Sequence, residues 1–441
     1  MRFRRWLVLP IAVVMVLAAA SCGDDDDDDT GAQGGGGENQ EENTGSVNVL
    51  SAMEPEEAES LQPIIDEEIN ADADYEAEIE ASSDFEEQLQ IRAEGGDLDL
   101  AMLPQPGAVA DAVENGAVSL EDLGFDIDEL NDRFGELLMS YVEVDGEHYG
   151  LPSNVNLKSM IWYPKDNFDD AGYEVPETWD DLTALTDQIK EDGGTPWCVG
   201  FESGGASGWP ATDWMEDILL HSADLDTYNQ WVSHDIPFND DAIVDAGQTF
   251  GDVMFGDGNV LGGADQTPAV AFGDAPAPMF EDEPGCWLMH QANFINAFFP
   301  EDAEAGVDYD WFPTPSNGEN NTLFGGEFLV AYRNAPEIKD FMDRFTGDEV
   351  QCAQGGIQGT SRISPNANVE TDCYANELLG EASDYLTEAL QAGTAAFDAS
   401  DQMPPEVGSG SFWTGMLEYM QAGPDGLNGV LDDIESSWPS S

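Results

Sequence analysis

Basic residues are scarce in this chain. Twelve lysines and arginines stand against 92 aspartates and glutamates, a formal net charge of −80. A polyanion of that strength repels phosphates, which excludes nucleic acid as a partner. Only Lys158, Lys165, Lys190 and Lys339 supply ammonium groups, and the four histidines, His148, His221, His234 and His290, have no metal-ligand spacing. No metal and no cofactor is therefore expected. Long apolar runs are missing beyond residue 20, so nothing after that point is expected to span a bilayer. There is no nucleophile elbow, no zinc-type His-Glu-x-x-His and no phosphate loop. Paired carboxylates occur throughout such a composition and carry no information, so no catalytic residue is assigned and the chain is not expected to be an enzyme. Even so, 41% of the residues are hydrophobic and 10% aromatic, enough for a large core, which sets the chain apart from disordered acidic polymers.

What is present begins with Arg2, Arg4 and Arg5 ahead of an apolar run from Trp6 to Ala20, the layout of a secretory leader. Leu17-Ala18-Ala19-Ala20-Ser21-Cys22 then resembles the lipobox at which bacterial lipoproteins are cut and acylated. The expectation is a leader over 1–21 and a lipidated Cys22, the competing reading being an ordinary cleaved leader with an incidental cysteine. Residues 22–45, with the acidic run Asp24 to Asp29 and the glycines Gly34 to Gly37, bury nothing and read as a flexible tether. Without the three leader arginines the charge becomes −83. An acidic, lysine-poor surface on a secreted protein points to a salt-rich medium, where ions screen self-repulsion.

Four cysteines remain outside the cell, and three pairings are open to them. Cys198 with Cys286 and Cys352 with Cys373 is favoured, the second because its short loop closes easily; four free thiols is the competing reading. Further along, Val47 to Leu50 reads as a strand, Glu54 to Ile69 as a helix, Tyr75 to Glu80 as a strand, Phe85 to Ala93 as a helix and Leu98 to Met102 as a strand. That alternation predicts an α/β fold. Ligands of open α/β sheets sit beyond the carboxyl ends of strands, so the loops after Leu50 and Met102 are candidate binding loops.

Asp97 to Met102, Gly107 and Glu114-Asn115-Gly116 resemble the early strand and helix of extracellular solute-binding proteins for sugars. His148-Tyr149-Gly150-Leu151-Pro152, Met160 to Lys165 and Pro176-Glu177-Thr178-Trp179 resemble the first interdomain crossing of maltose-binding-like proteins. Gly208 to Trp214, with Trp231 and Ile236-Pro237-Phe238, is similar to a branch associated with α-glucoside uptake. Gly285-Cys286-Trp287, Phe312-Pro313, Phe324-Gly325-Gly326, Met403-Pro404-Pro405 and Phe412-Trp413 continue the match in order. The resemblance implies a two-lobed Venus-flytrap fold of the periplasmic-binding-protein type II class, with a sugar-binding cleft between lobes. Lobe one is expected near 46–154 plus 285–345 and lobe two near 158–280 plus 350–441. It further implies a monomer outside the cell, held to the membrane only by its lipid, that hands a sugar to the permease and ATPase of an ABC importer.

A pyranose presents apolar C–H faces that stack on indole rings and hydroxyl rims that need charged or amide partners. The resemblance places Trp413 and Trp287 most directly at stacking positions and Trp209 on a matching segment, whereas Trp214 and Trp231 read as core. Candidate hydroxyl partners are Glu54, Gln105, Asp213, Glu202 and Glu327, the last beside Gly325-Gly326, where backbone comes close. Lys158 and Arg362 stand out because bases are rare here, as interlobe ion pairs or as ligand contacts. Two rival readings remain: the same fold holding a polyamine or an osmolyte cation in an aromatic cage, and a secreted glycosidase using two carboxylates.

With this charge, stability is expected to rise from dilute buffer towards molar salt, where the Debye length falls to about 3 Å. A melting temperature that stays flat over that range excludes the salt-adapted reading.

Overall fold

Alternation builds the first sheet. In β1 (Gly45–Ser51) Val47 and Val49 are buried while Ser46 and Asn48 are exposed, the period of two that one covered face imposes. The computed structural model describes residues 45–439 apart from 54, 83, 358 and 359. The expected leader, Cys22, nearly all of the tether and Glu54 lie outside the described residues. β1 runs parallel to β2 (Tyr75–Ala81) and to β3 (Leu100–Leu103). The helices Pro55–Ile65 and Phe85–Gly95 make the crossovers that parallel pairing requires.

After a small hairpin of β4 (Glu143–Val144) and β5 (Glu147–His148), β6 (Leu151–Leu157) leads through Lys158 and Ser159 straight into β7 (Met160–Tyr163). β7 is the centre of a second, antiparallel sheet with β8 (Met289–His290) and β9 (Asp310–Pro313). The chain then returns. β10 (Thr322–Ala331) lies antiparallel to β6 along one edge; its other edge meets β3 near its end and the parallel β11 (Ala395–Phe397) near its start. The first sheet thus reads β11-β10-β3-β1-β2, with β6 beside β10. This is a two-lobed α/β architecture. The expected grouping set residues 285–345 with the first lobe and 350–441 with the second; β8 and β9 pair instead with β7 in the second sheet, and β11 pairs on the first, covering backbone groups of β10 that lie beyond the reach of β3.

The second sheet packs against a cluster that includes Trp197, Trp214 and Trp231, so Trp214 and Trp231 are core residues. The central helix, Trp209–Ser222, is buried from Pro210 to His221. Its carboxyls therefore need partners within the protein. Cys198–Cys286 and Cys352–Cys373 are both bonded, closing spans of 88 and 21 residues. Among the described residues no helix is long and apolar enough to cross a membrane.

Both connections between the sheets are tied to this helix. On the outward one, the Ser159 hydroxyl donates to Asp217 at 2.5 Å and accepts from the amide of Leu323 at 2.7 Å. On the return one, Ser316 donates to the carbonyl of His221 and Asn321 to that of Leu220. Asp217 also meets His221 Nδ1 at 3.2 Å and His290 Nε2 at 2.8 Å. Burial would push the Asp217 carboxyl up, but His221 and His290 outweigh it and hold it well below the ordinary carboxylate range. Burial would likewise lower His221, and the Asp217 carboxylate outweighs it and raises the imidazole.

The Asp217 contribution is full above the unfolded carboxyl value, about 3.9, and is lost as pH falls towards the depressed native value. That of His221 is full below about 6.5 and fades as pH rises through the raised native value. Between about pH 4 and 6.5 both are present, and there Asp217→Asn should cost about 3–5 kcal/mol in urea unfolding. A cost under about 1 kcal/mol at pH 5.5 would show that the buried pairs contribute little.

Candidate functional site

A cavity of about 510 Å³ opens between β6, β10 and the start of the central helix. Residues from both candidate loops line it: Ala52 and Met53 after β1, Pro104 and Gln105 after β3. Parallel strands end there, and the backbone beyond their last hydrogen bonds is free to meet a ligand.

One stretch of wall is aromatic. The Trp209 ring lies 5.2 Å from Phe272 and 5.6 Å from Phe294, and Phe298 packs on Phe272 at 5.1 Å. All four line the cavity. Trp413 lines it too, only 5% exposed, with its indole N–H donating to Ser400 Oγ at 3.2 Å. Ser400 in turn donates to Asp398 at 2.8 Å. Gly208 makes the approach of these two tryptophans possible. Its φ of 111° favours glycine, and a Cβ there would lie 2.3 Å from the carbonyl oxygen of Trp413.

Two buried cations organise the polar wall. The Lys158 ammonium sits where β6 becomes β7, 3.0 Å from Asp213, 2.6 Å from Asp398 and 3.9 Å from Asp401. Its stem crosses Gly325, where a Cβ would stand 2.8 Å from Lys158 Cε. Burial would lower this lysine, but the carboxylates of Asp213, Asp398 and Asp401 outweigh it and hold it well above the usual ammonium value. Glu216, one turn along from Asp213, accepts from the amides of Ala399 and Ser400 at 2.7 and 3.2 Å. Arg362, 3% exposed, pairs with Glu327 at 2.9 Å and Glu57 at 3.1 Å and donates to Gln354. Its segment is pinned to β6: Val155 donates to the Ile363 carbonyl, and Asn154 accepts from the Ile363 amide.

Of the residues proposed from sequence, Trp209, Trp413, Gln105, Asp213 and Glu327 come together on this cavity, along with Lys158 and Arg362. Trp287 does not line it. Its ring meets Tyr173 edge-on at 5.1 Å and packs over Gly194, against the core of the second lobe. Glu202 is also off the wall. Its carboxylate accepts from the amide of Gly204, and its backbone pairs with Val270 and Phe272. Sequence reasoning missed Phe272, Phe294, Phe298, Asn154, Asn156, Asp398 and Asp401. Asn154 and Asn156 had a faint signal, as amides on a strand next to the expected crossing. Among the described residues no group of histidine, cysteine or carboxylate side chains could hold a metal ion.

The family model for bacterial extracellular solute-binding proteins matches residues 54–351. An α-glucosides-binding periplasmic protein, AglE of Rhizobium meliloti, is 39% identical over 376 residues, covering 81% of this chain and 80% of that one. The osmoprotective compounds-binding protein GgtB of Synechocystis is 36% identical over 408 residues, 90% and 94% of the two chains. Maltose-bound MalE3 of T. maritima superimposes with a TM-score of 0.68 at 17% identity, covering 89% of this chain and 99% of that one. The solute receptor AcbH, described as preferring β-D-galactopyranose, does so with a TM-score of 0.75 at 15% identity, over 89% and 98%.

Removing the Lys158 charge leaves Asp398 and Asp213 buried without a counterion. Lys158→Met should cost about 3–5 kcal/mol in urea unfolding at pH 7, against under about 1 kcal/mol for Lys165→Met at a half-exposed pair. Equal costs would refute the organising role of Lys158.

Proposed function

We propose, on the premise that this chain belongs to the bacterial extracellular solute-binding protein family, that it captures an α-glucoside or short oligosaccharide in its cleft and delivers it to an ABC importer. The observation that carries this reading is the wall composition. Trp209, Phe272, Phe294, Phe298 and Trp413 offer flat apolar faces, and Asp213, Asn154, Asn156, Glu327 and Arg362 offer hydrogen-bonding groups around the same 510 Å³. Aromatic faces take the C–H side of a pyranose, and fixed charged or amide groups take its hydroxyl rim. A cavity of this size accommodates a small saccharide.

The family is extracytoplasmic and its members are binding proteins; we extend both statements to this chain. Lipidation at Cys22 rests on the small residues before it and the arginine-led apolar run of the leader. A tether over 22–45 would leave the folded part free to turn towards a permease and its ATPase. The two lobes are taken to be the bodies around the six-stranded and three-stranded sheets, in a monomer.

A thermal-shift screen against maltose, trehalose, sucrose, longer glucans, polyamines and osmolytes tests the ligand class, because a ligand that binds only the native state raises the melting temperature. Stabilisation by polyamines or osmolytes and by none of the sugars would overturn the sugar reading. Release of monosaccharide from the mixture would make the protein a glycosidase. Trp413→Ala should weaken binding of the stabilising sugar by roughly 30-fold to nearly 1,000-fold. A variant that unfolds far more easily yet binds as the wild type does would remove Trp413 from the site.

A further inference from the structure

The acid end of the cavity holds a carboxyl that the fold does not use. Lys158 is gripped by Asp398 at 2.6 Å and by Asp213 at 3.0 Å, and these two side chains keep only 1% and 3% of their surface. Asp401 is placed differently. Its carboxyl stands 3.9 Å from the ammonium, beyond hydrogen-bond reach. The hydrogen bond this residue makes is that of its amide to Asp398 Oδ1, and among the described residues no donor meets its carboxyl. The residue is nine-tenths buried, yet its side chain lines the cavity with 11% of its surface open. A polar group this deep and without a partner is unfavourable in the empty protein. An occupant of the cavity can reach what no protein group does.

The loop after β3 brings a complementary group alongside. Its short turn, Pro106–Ala108, packs on the helix Ala399–Gln402 that carries Asp401. A Cβ on Gly107 would lie 2.2 Å from the carbonyl oxygen of Met403 and 2.7 Å from that of Gln402, so the approach depends on the missing side chain. Gln105 precedes this turn and lines the same cavity. Its carbonyl accepts from the Ala108 amide, and among the described residues its carboxamide has no partner.

We propose that Asp401 reads a sugar hydroxyl at this end of the cavity, with the Gln105 carboxamide serving the hydroxyls next to it. This rests on the sugar reading above and adds to it the group that selects. Burial, with Asp398 beside it, pushes the Asp401 carboxyl well above the ordinary carboxylate range. Its oxygens accept from a hydroxyl in either protonation state, while the carboxamide both donates and accepts. A ligand without a donor hydrogen here, such as a quaternary osmolyte or a deoxy sugar, leaves Asp401 unpaired and is rejected. The fold itself gains nothing from a third carboxyl. Lys158 already has two, and Asp398 and Glu86, the latter on the same cavity, both repel Asp401. Removing it should therefore relieve the empty protein and weaken the complex, the trade-off expected of a binding group and not of a structural one.

The test is titration calorimetry with maltose, trehalose, sucrose and longer glucans, alongside the melting temperature of each ligand-free variant. Asp401→Ala should weaken binding of the sugar that the wild type takes by about 10-fold to 100-fold, and should melt no lower than the wild type. Asp401→Asn, which keeps one acceptor oxygen, should recover most of the affinity. Gln105→Ala should weaken binding by about 3-fold to 10-fold at an unchanged melting temperature. Among monodeoxy analogues of that sugar, the one lacking the hydroxyl read by Asp401 should bind equally to the wild type and to Asp401→Ala. Unchanged affinity in Asp401→Ala, a lower melting temperature or failure to fold, or an equal loss with every analogue would overturn the role of Asp401 and leave sugar capture standing. A wild type that binds none of these sugars would overturn both.

Discussion

A lysine ammonium carried into the interior is tolerable only where carboxylates surround it, because taking one ion out of water costs several kcal/mol. In this protein that constraint falls at residue 158, where the chain leaves one sheet for the other. Lys158 draws in Asp213 from the central helix and Asp398 from the segment after β11, and so joins three distant stretches of chain at one point. One turn further along the same helix, Asp217 gathers Ser159, His221 and His290. The passage between the lobes is thus held by charges that have few alternatives, and the cavity is the space left beside them.

The same constraint explains why a chain with so few bases places two of them at the site. Arg362 and Lys158 are each buried, and each faces more than one carboxyl. Away from these groups and from Asp217, the described acids reach solvent, where screening by salt suffices. Inside, screening is absent and specific partners must do the work. Scarcity of cations makes each buried one informative, which is why Lys158 and Arg362 could be singled out from sequence although their roles could not.

Much of the first sheet was legible because its strands and crossover helices obey simple periods. Val47 to Leu50, Tyr75 to Glu80 and Leu98 to Met102 fall within a residue or two of β1, β2 and β3. The loops after β1 and β3 reach the cavity, as a parallel sheet dictates. The helix read over Glu54 to Ile69 is described as Pro55–Ile65, running on into a wider turn over Asp66–Asn70. The aromatic wall was not legible. Phe272, Phe294 and Phe298 lie among short turns with no sustained period, and nothing local distinguishes a phenylalanine that faces a cavity from one that faces the core. Trp287 shows the converse: a tryptophan beside a bonded cysteine, on a segment that resembles the family, packs against the cluster of the second lobe and not on this cavity. Pairing of β11 with β10 was equally hidden, since a strand of three residues carries too little pattern to be read.

The cavity draws its lining from Ala52 through to Trp413, almost the whole length of the described chain. A polypeptide synthesised N-terminus first therefore has its first cavity loop in place long before Asp398, Ser400 and Trp413 arrive. Until they do, the Lys158 ammonium lacks its nearest partner and the wall has no second tryptophan. The cavity wall cannot be completed gradually as the chain is made; it closes with the last stretch. The cavity is thereby a property of the finished chain and of no shorter piece of it.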